Sequence, residues 1–244
     1  MSKIYLVGTP IGNLQDITLR ALDTLRRVDV IACEDTRQTQ KLLQQFELKK
    51  KLIAYHKDNE KNSAQGILNL VLNQNLSVAL VSDAGMPLIS DPGFELIKQA
   101  REQNVPVEII PGVSACVTAL ALSGFAATFT FWGFPKEKSE ARLKQIQALD
   151  TQHAHIFYVA PHKLMKFLSE LDQVWGAEAE VFLAKELTKV FETHFCGAAK
   201  NILLELAQRE TIKGEFTLVV KLNVPKRTKV NKYEQFSKNQ TQKN

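Results

Sequence analysis

The chain is poor in several things, and each shortage narrows what it can do. It holds three cysteines, Cys33, Cys116 and Cys196, far apart and without a C-x-x-C pair. That spacing argues against a disulfide framework and a zinc site, and predicts three small buried hydrophobes in a reduced, cytoplasmic protein. No apolar run approaches the roughly 20 residues needed to cross a bilayer, so no membrane partner is expected. "MSKIYLVG" leads straight into a strand pattern and shows no secretory h-region. No Gly-Lys-Ser/Thr follows a glycine loop, and no G-x-G-x-x-G is present, which removes the two commonest phosphate-cradling motifs.

An excess of charge is also missing from most of the chain. The formal net charge is +5, but the last twenty residues hold six of the 31 basic residues and one of the 26 acids. Residues 1–224 are therefore neutral, with 25 of each. The basic excess belongs to "PKRTKVNKYEQFSKNQTQKN" (225–244), a polar tail expected to be disordered and able to touch RNA or merely solubilise.

What is present is a rhythm. "IYLV" (4–7), "VIAC" (30–33), "KLIAY" (51–55), "VALV" (78–81) and "VEII" (107–110) are short apolar runs separated by helical-period segments. Apolar residues at 17, 19, 22, 25 and 28, with Asp16 as N-cap, mark the first helix. Others are expected near 36–46, 63–73, 93–103 and from Ser114 to Leu122. Strands alternating with helices predict an α/β lobe with a mostly parallel sheet. After Gly124 the pattern changes. "TFTFWGF" (128–134), "AHIFYVA" (154–160), a hairpin-like pair at 180–187 and 190–196, and "GEFTLVVKL" (214–222) predict a second α/β lobe with a mixed sheet. The expected division is 1–118 and 119–224, with the tail at 225–244, and a ligand cleft between the lobes.

Charged and small residues gather at the predicted strand ends, where open α/β sheets bind ligands. In "GTPIGN", Gly8 and Gly12 are spaced wrongly for a dinucleotide, and Pro10 lacks an amide hydrogen a phosphate would need. "VSDAGMPLISDPG" repeats Ser-Asp-x-Gly. Asp83 in the first copy suits a ribose hydroxyl or a cation. The second copy reads as a helix start, with Ser90 or Asp91 as cap and Pro92 in the first turn. "CEDTRQT" places Glu34, Asp35 and Arg37 at one strand end, with Asp35 or Thr36 also able to cap the following helix. "HKDNE" adds His56. Ser114 starts a helix after "IIPGV". In "AKELTK", alternation sends Lys185 and Glu186 to opposite faces of a regular strand. His153 and His155 share a face but are too few to hold a metal.

Eight blocks stand in order: "YLVGTPIGNLQDITLRAL", "EDTRQTQKLL", "HKDNE", "LVSDAGMPLISDPG", "IIPGVSACVTALALSGF", "GFPKEKS", "KELTKVFET" and "KGEFTLVV". Together, over residues 3–222, they resemble the tetrapyrrole methylase superfamily, in its branch acting on small-subunit ribosomal RNA. The resemblance implies a two-lobe class III methyltransferase that uses S-adenosyl-L-methionine, works as a homodimer, and methylates the ribose 2′-hydroxyl of a cytidine in the decoding centre of 16S rRNA. Matched by position, it implies cofactor contacts at Ile11, Gly12, Asp83, Met86, Ser114, Ala115 and Ala160. It leaves Glu34, Asp35 and His56 as candidates for catalysis. Thr9, Asn13, Arg37, Lys185 and Glu186 are candidates for holding the RNA. Met86, "PGVSA" and "FYVAPHKL" depart from the usual "SDAGTP", Pro-Gly-Pro and "YESPHR". Two other readings stay open: a methyltransferase of small tetrapyrrole-type molecules, and a degenerate member that binds cofactor or RNA without catalysis.

Overall fold

A computed structural model describes residues 2–57 and 59–223. The tail at 225–244 lies outside the described residues.

The first half forms five parallel strands: β1 (Ile4–Val7), β2 (Val30–Cys33), β3 (Lys51–Ala54), β4 (Val78–Val81) and β5 (Val107–Ile110). Their order is β3-β2-β4-β1-β5. Side-chain alternation divides the core into two layers. Ile4, Leu6, Val30, Ala32, Val78 and Leu80 face α3 (Glu60–Leu72) and α4 (Phe94–Glu102). Val7, Ile31, Cys33, Ala79 and Val81 face α1 (Leu19–Arg27) and α2 (Thr36–Gln45). Helices after the neighbouring strands β1 and β4 thus leave to opposite faces. That divergence opens a crevice at their carboxyl ends.

The second sheet contains β6 (Phe129–Gly133), β7 (Ala154–Val159), β8 (Ala179–Lys185), β9 (Thr193–Ala198) and β10 (Phe216–Leu222), in the order β6-β7-β10-β8-β9. Only β6 and β7 pair in parallel, so the sheet is mixed as expected. One face carries α6 (Ser139–Gln147), α7 (Pro161–Trp175) and α8 (Ala199–Ala207). The other is covered by α5 (Ala115–Ser123), whose Cys116, Ala119 and Leu120 join Ile156, Phe182 and Val219. Position 118 therefore falls inside a helix that packs on the second sheet. Ile11 from the first lobe enters the same cluster and is buried.

Several local expectations need correction. Thr18, not Asp16, caps α1, accepting from the Ala21 amide at 3.0 Å. Cys196 is exposed, because β9 is an edge strand. His153 precedes β7 and bonds Asp150, while His155 is buried against Trp132, so the two do not act together. Neither Ser90 nor Asp91 caps α4. Its first amides, Gly93 and Glu95, donate instead to Glu60 Oε1 at 2.9 and 3.1 Å. The buried Tyr55 hydroxyl donates to the same oxygen at 3.1 Å and accepts from the Leu96 amide at 3.2 Å. A carboxylate at a helix N-terminus is favoured both by hydrogen bonding and by the helix dipole. This cap from α3 leaves Asp91 without a local duty.

Glu60→Ala is expected to lower unfolding free energy by about 2 kcal/mol, since it strands two amides and a buried hydroxyl. Glu60→Gln, which keeps an acceptor oxygen, should lose roughly half of that. Urea midpoints of the three proteins check this.

Candidate active site

The site is built where three strand-end loops touch. Thr9 and Gly85 pair as an isolated antiparallel bridge, with amide to carbonyl distances of 2.9 and 3.1 Å. The Thr9 hydroxyl, buried, donates to the Ser82 carbonyl at 3.2 Å. Gly8 and Gly112 meet backbone to backbone: a Cβ on Gly8 would lie 2.7 Å from the Gly112 nitrogen and 2.6 Å from Met86 Sδ. The Gly112 amide donates to that sulfur at 3.2 Å. Gly8 therefore serves close approach and leaves no room for a phosphate beside it. Gly12 serves another contact. Its missing side chain admits Lys189, whose Cγ would lie 2.3 Å from a Cβ there. The Asn13 amide donates to Thr188 Oγ1 at 3.2 Å, which ties the glycine loop to the β8–β9 turn of the other lobe.

Two hollows adjoin in the cleft and share Asp83, Ala84 and Glu215 as a common wall. The first, about 370 Å³, is lined by Asp91, Phe134, Tyr158, Ala160 and Thr217. The Phe134 and Tyr158 rings meet edge to face at 5.9 Å, and the Tyr158 hydroxyl accepts from the Cys116 amide at 3.2 Å, which fixes it to the start of α5. The second, about 500 Å³, is lined by Thr9, Ile11 and Gly12 on one side and by Gln38, Lys41 and Gln45 of α2 on the other. A hollow of aromatic rings and carboxylates suits a cationic, phosphate-free ligand that carries an aromatic base and ribose hydroxyls.

Three neighbouring carboxyl groups are held above their ordinary range: Asp83 and Asp91, which line the hollows, and Glu34, which lines neither. Burial pushes Asp91 up to about 6, reinforced by the charges of Glu34 and Asp83, while the Ser82 hydroxyl and Lys57 oppose it. Burial also raises Glu34 and Asp83. The Asp35 amide donates to Asp83 Oδ1 at 3.0 Å, which aims Asp83 into the cleft.

The other expected site residues divide. Asp35 caps α2 through the Arg37 amide at 2.8 Å and grips the Arg37 guanidinium at 3.1 and 2.7 Å. This partner holds Asp35 down at about 2, so its geometry is that of a cap rather than of a base. Arg37 is exposed and lines neither hollow. His56 neighbours Glu34 but lines neither hollow, and its amide donates to Asn59 Oδ1 at 2.9 Å. Met86, Ser114 and Ala115 stand just behind the lining, Met86 against Gly112 and Ser114 at the N-cap of α5. Lys185 shares the strand parity of Val181 and Leu183, which pack toward α7 and α8, away from the cleft. Glu186, at φ 55°, breaks the strand and turns back. Its Oε1 accepts from the Glu215 amide at 2.8 Å and from Lys189 at 3.0 Å. Sequence reasoning missed Asp91, Tyr158 and the α2 face. Asp91 carried a signal, as the second Ser-Asp-x-Gly, but its helix start explained it too easily.

Asp91→Asn is expected to stabilise the fold by about 1–2 kcal/mol at pH 7.5. A carboxyl raised from 3.8 to about 6 on folding is ionised at a cost above both values. The gain should shrink as pH falls through 6 and vanish below about 4, where folded and unfolded chains are both protonated. Denaturation at pH 7.5, 6 and 4 measures it.

Comparison with known proteins agrees with this architecture. The family model described as Tetrapyrrole (Corrin/Porphyrin) Methylases matches residues 3–203. "Ribosomal RNA small subunit methyltransferase I" of Mesomycoplasma conjunctivae is 49% identical over 237 residues, covering 97% of this chain and 98% of that protein. The protein of the same name from Vibrio cholerae is 46% identical over 220 residues, covering 89% of this chain and 76% of that protein. A crystal structure of uroporphyrin-III C-methyl transferase from Thermus thermophilus, complexed with S-adenyl homocysteine, superposes with a TM-score of 0.61 at 17% identity, over 89% of this chain and 97% of that one. With its fold, its strand-end loops and its close relatives in agreement, the chain belongs to the tetrapyrrole (corrin/porphyrin) methylase family, alongside the small-subunit ribosomal RNA methyltransferases I.

Proposed function

We propose that this chain is an S-adenosyl-L-methionine-dependent methyltransferase that methylates the 2′-hydroxyl of a cytidine ribose in the decoding centre of 16S rRNA, within the small ribosomal subunit in the cytoplasm. The observation that carries the reading is the common wall at Asp83, with an aromatic, acidic hollow on one side and a polar hollow on the other.

S-adenosyl-L-methionine, when bound, supplies a methyl group already activated on a sulfonium. The chain's own task is alignment, which is worth about 7–11 kcal/mol in well-oriented reactions. Asp83 and Asp91 hold ribose hydroxyls or positive charge in the aromatic hollow, whose other walls are Tyr158, Phe134 and Ala160. Ile11, Gly12 and Thr9 place the reacting nucleotide's sugar against the same wall. A ribose hydroxyl is a weak nucleophile, so removal of its proton matters. Glu34 receives that proton: it precedes Asp35, whose amide holds Asp83 at 3.0 Å, and burial raises its basicity. Asp83, Asp91 and Tyr158 would hold the group that supplies the methyl, and the hydroxyl proton would rest on Glu34.

The chain also works as a homodimer in this reading. Edge strand β5 exposes Val107 and Ile109, α5 exposes Val117 and Leu122, and edge strand β6 exposes Phe129. A sheet edge and helix this apolar call for a cover.

Single-turnover transfer to small subunits lacking the methyl group is expected to fall about 10²- to 10⁴-fold in Glu34→Gln, with cofactor affinity unchanged in calorimetry. A near-normal rate rules Glu34 out as base. Cofactor affinity itself should weaken as pH falls through about 6, because protonating Asp91 removes a negative charge facing a cation; Asp91→Asn should abolish that pH dependence. Sedimentation should give a dimer mass, and Ile109→Asp with Val117→Asp a monomer.

A further inference from the structure

The polar hollow has a built wall that the methyl-transfer chemistry does not use. Gln38, Lys41 and Gln45 recur at three- and four-residue intervals, so they share one face of α2. All three are exposed, while Thr39 and Leu43 of the same helix are buried. Two amides offer both donors and acceptors, as a nucleotide base edge does. Across the hollow, Lys189 is neutralised by Glu186 at 3.0 Å and Glu215 at 3.1 Å. Lys41 has no carboxylate partner among the described residues and donates only to Gln38 Oε1, at 3.4 Å.

The hollow does not end there. A further depression of about 660 Å³ continues outward past Gln45, Leu14 and Thr188 to Val190 and Phe191. Val190 is 93% and Phe191 76% exposed, an unusual position for such side chains on a firmly held turn. The Thr188 amide donates to the Glu192 carboxylate, the Glu192 amide to the Lys189 carbonyl at 3.1 Å, and Asn13 ties the turn to the glycine loop. A water-exposed aromatic ring carried on a held turn beside a polar pocket is the usual platform on which a single-stranded base stacks.

We propose that this side of the cleft is an RNA track: the reacting nucleotide, turned out of its stack, seats against Gln38, Lys41 and Gln45, and a neighbouring base stacks on Phe191. The track rests on the methyltransferase reading above and extends it to the polymer. The continuation of the pocket into an open, aromatic-lipped groove favours an extended strand over a compact small molecule.

The test uses the full-length protein, small ribosomal subunits lacking the methyl group, and labelled S-adenosyl-L-methionine. Phe191→Ala should raise KM for subunits about tenfold. Lys41→Glu should lower kcat/KM and flatten its salt dependence by about one phosphate contact, with Lys41→Arg retaining most activity. Gln38→Ala with Gln45→Ala should lower kcat/KM about tenfold. Unchanged Tm and unchanged cofactor affinity in calorimetry keep these effects apart from folding and from the neighbouring hollow. If the wild-type protein transfers methyl groups and all the variants stay within twofold of it, the track is wrong and the methyltransferase reading stands. If the wild-type protein binds cofactor but transfers nothing to subunits, the reading falls and the track with it.

Discussion

The site depends on backbone contact between loops. Thr9 and Gly85 exchange both of their hydrogen bonds, and Gly8 lies on Gly112 so closely that a side chain on Gly8 would force the backbone apart. These contacts join the ends of β1, β4 and β5 into one surface. That surface sets the height of Asp83, the seat of Met86 and the path of the chain into α5. Parallel strands with helices leaving to opposite faces open a crevice in any such sheet; here the crevice is floored by backbone rather than by side chains. A floor of this kind is rigid, which suits a reaction whose main requirement is alignment.

The second lobe is locked to that floor rather than hinged loosely beside it. Ile11 is buried in the core of the second sheet, Lys189 lies across Gly12, and Thr188 accepts from Asn13. The glycine loop thus belongs to both lobes. Its two glycines answer two separate steric demands, and neither demand concerns a phosphate. The carboxyl cluster around Asp83 is the opposite kind of feature. Glu34 and Asp91 are half-buried, Asp83 is exposed at the cleft wall, and the three share a neighbourhood and are raised together. Such an arrangement weakens the fold at neutral pH and marks a place suited to receiving a cation or a proton.

Much of the fold was legible in the sequence, because short apolar strands and amphipathic helices alternate with little ambiguity. The strands β1, β2, β4 and β5 carry the expected bounds, and the change to a mixed sheet after Gly124 follows from aromatic and β-branched runs. What the sequence hid were contacts over long separations. Glu60 caps a helix that starts thirty-odd residues later, so local rules chose Ser90 or Asp91 instead. The site was legible as a set of strand ends, since charged residues after apolar runs mark the carboxyl edge. Its internal arrangement was not. Asp35 looked equivalent to Glu34, yet one is spent on Arg37 and a helix cap while the other stays half-buried beside Asp83. Gln38, Lys41 and Gln45 read as an ordinary solvated helix face until the opposite lobe placed a wall in front of them.

In the proposed function the cleft is divided at Asp83, with the cofactor on the Tyr158 side and the RNA on the α2 side. The most direct measurement is a crystal structure of the protein with S-adenosylhomocysteine and a short cytidine-containing RNA. The division predicts the adenosyl group between Tyr158, Ala160 and Asp91, and the nucleotide against Gln38, Lys41 and Gln45, with its 2′-oxygen toward Asp83. Cofactor density in the α2 hollow, or RNA bound away from that face, would contradict it.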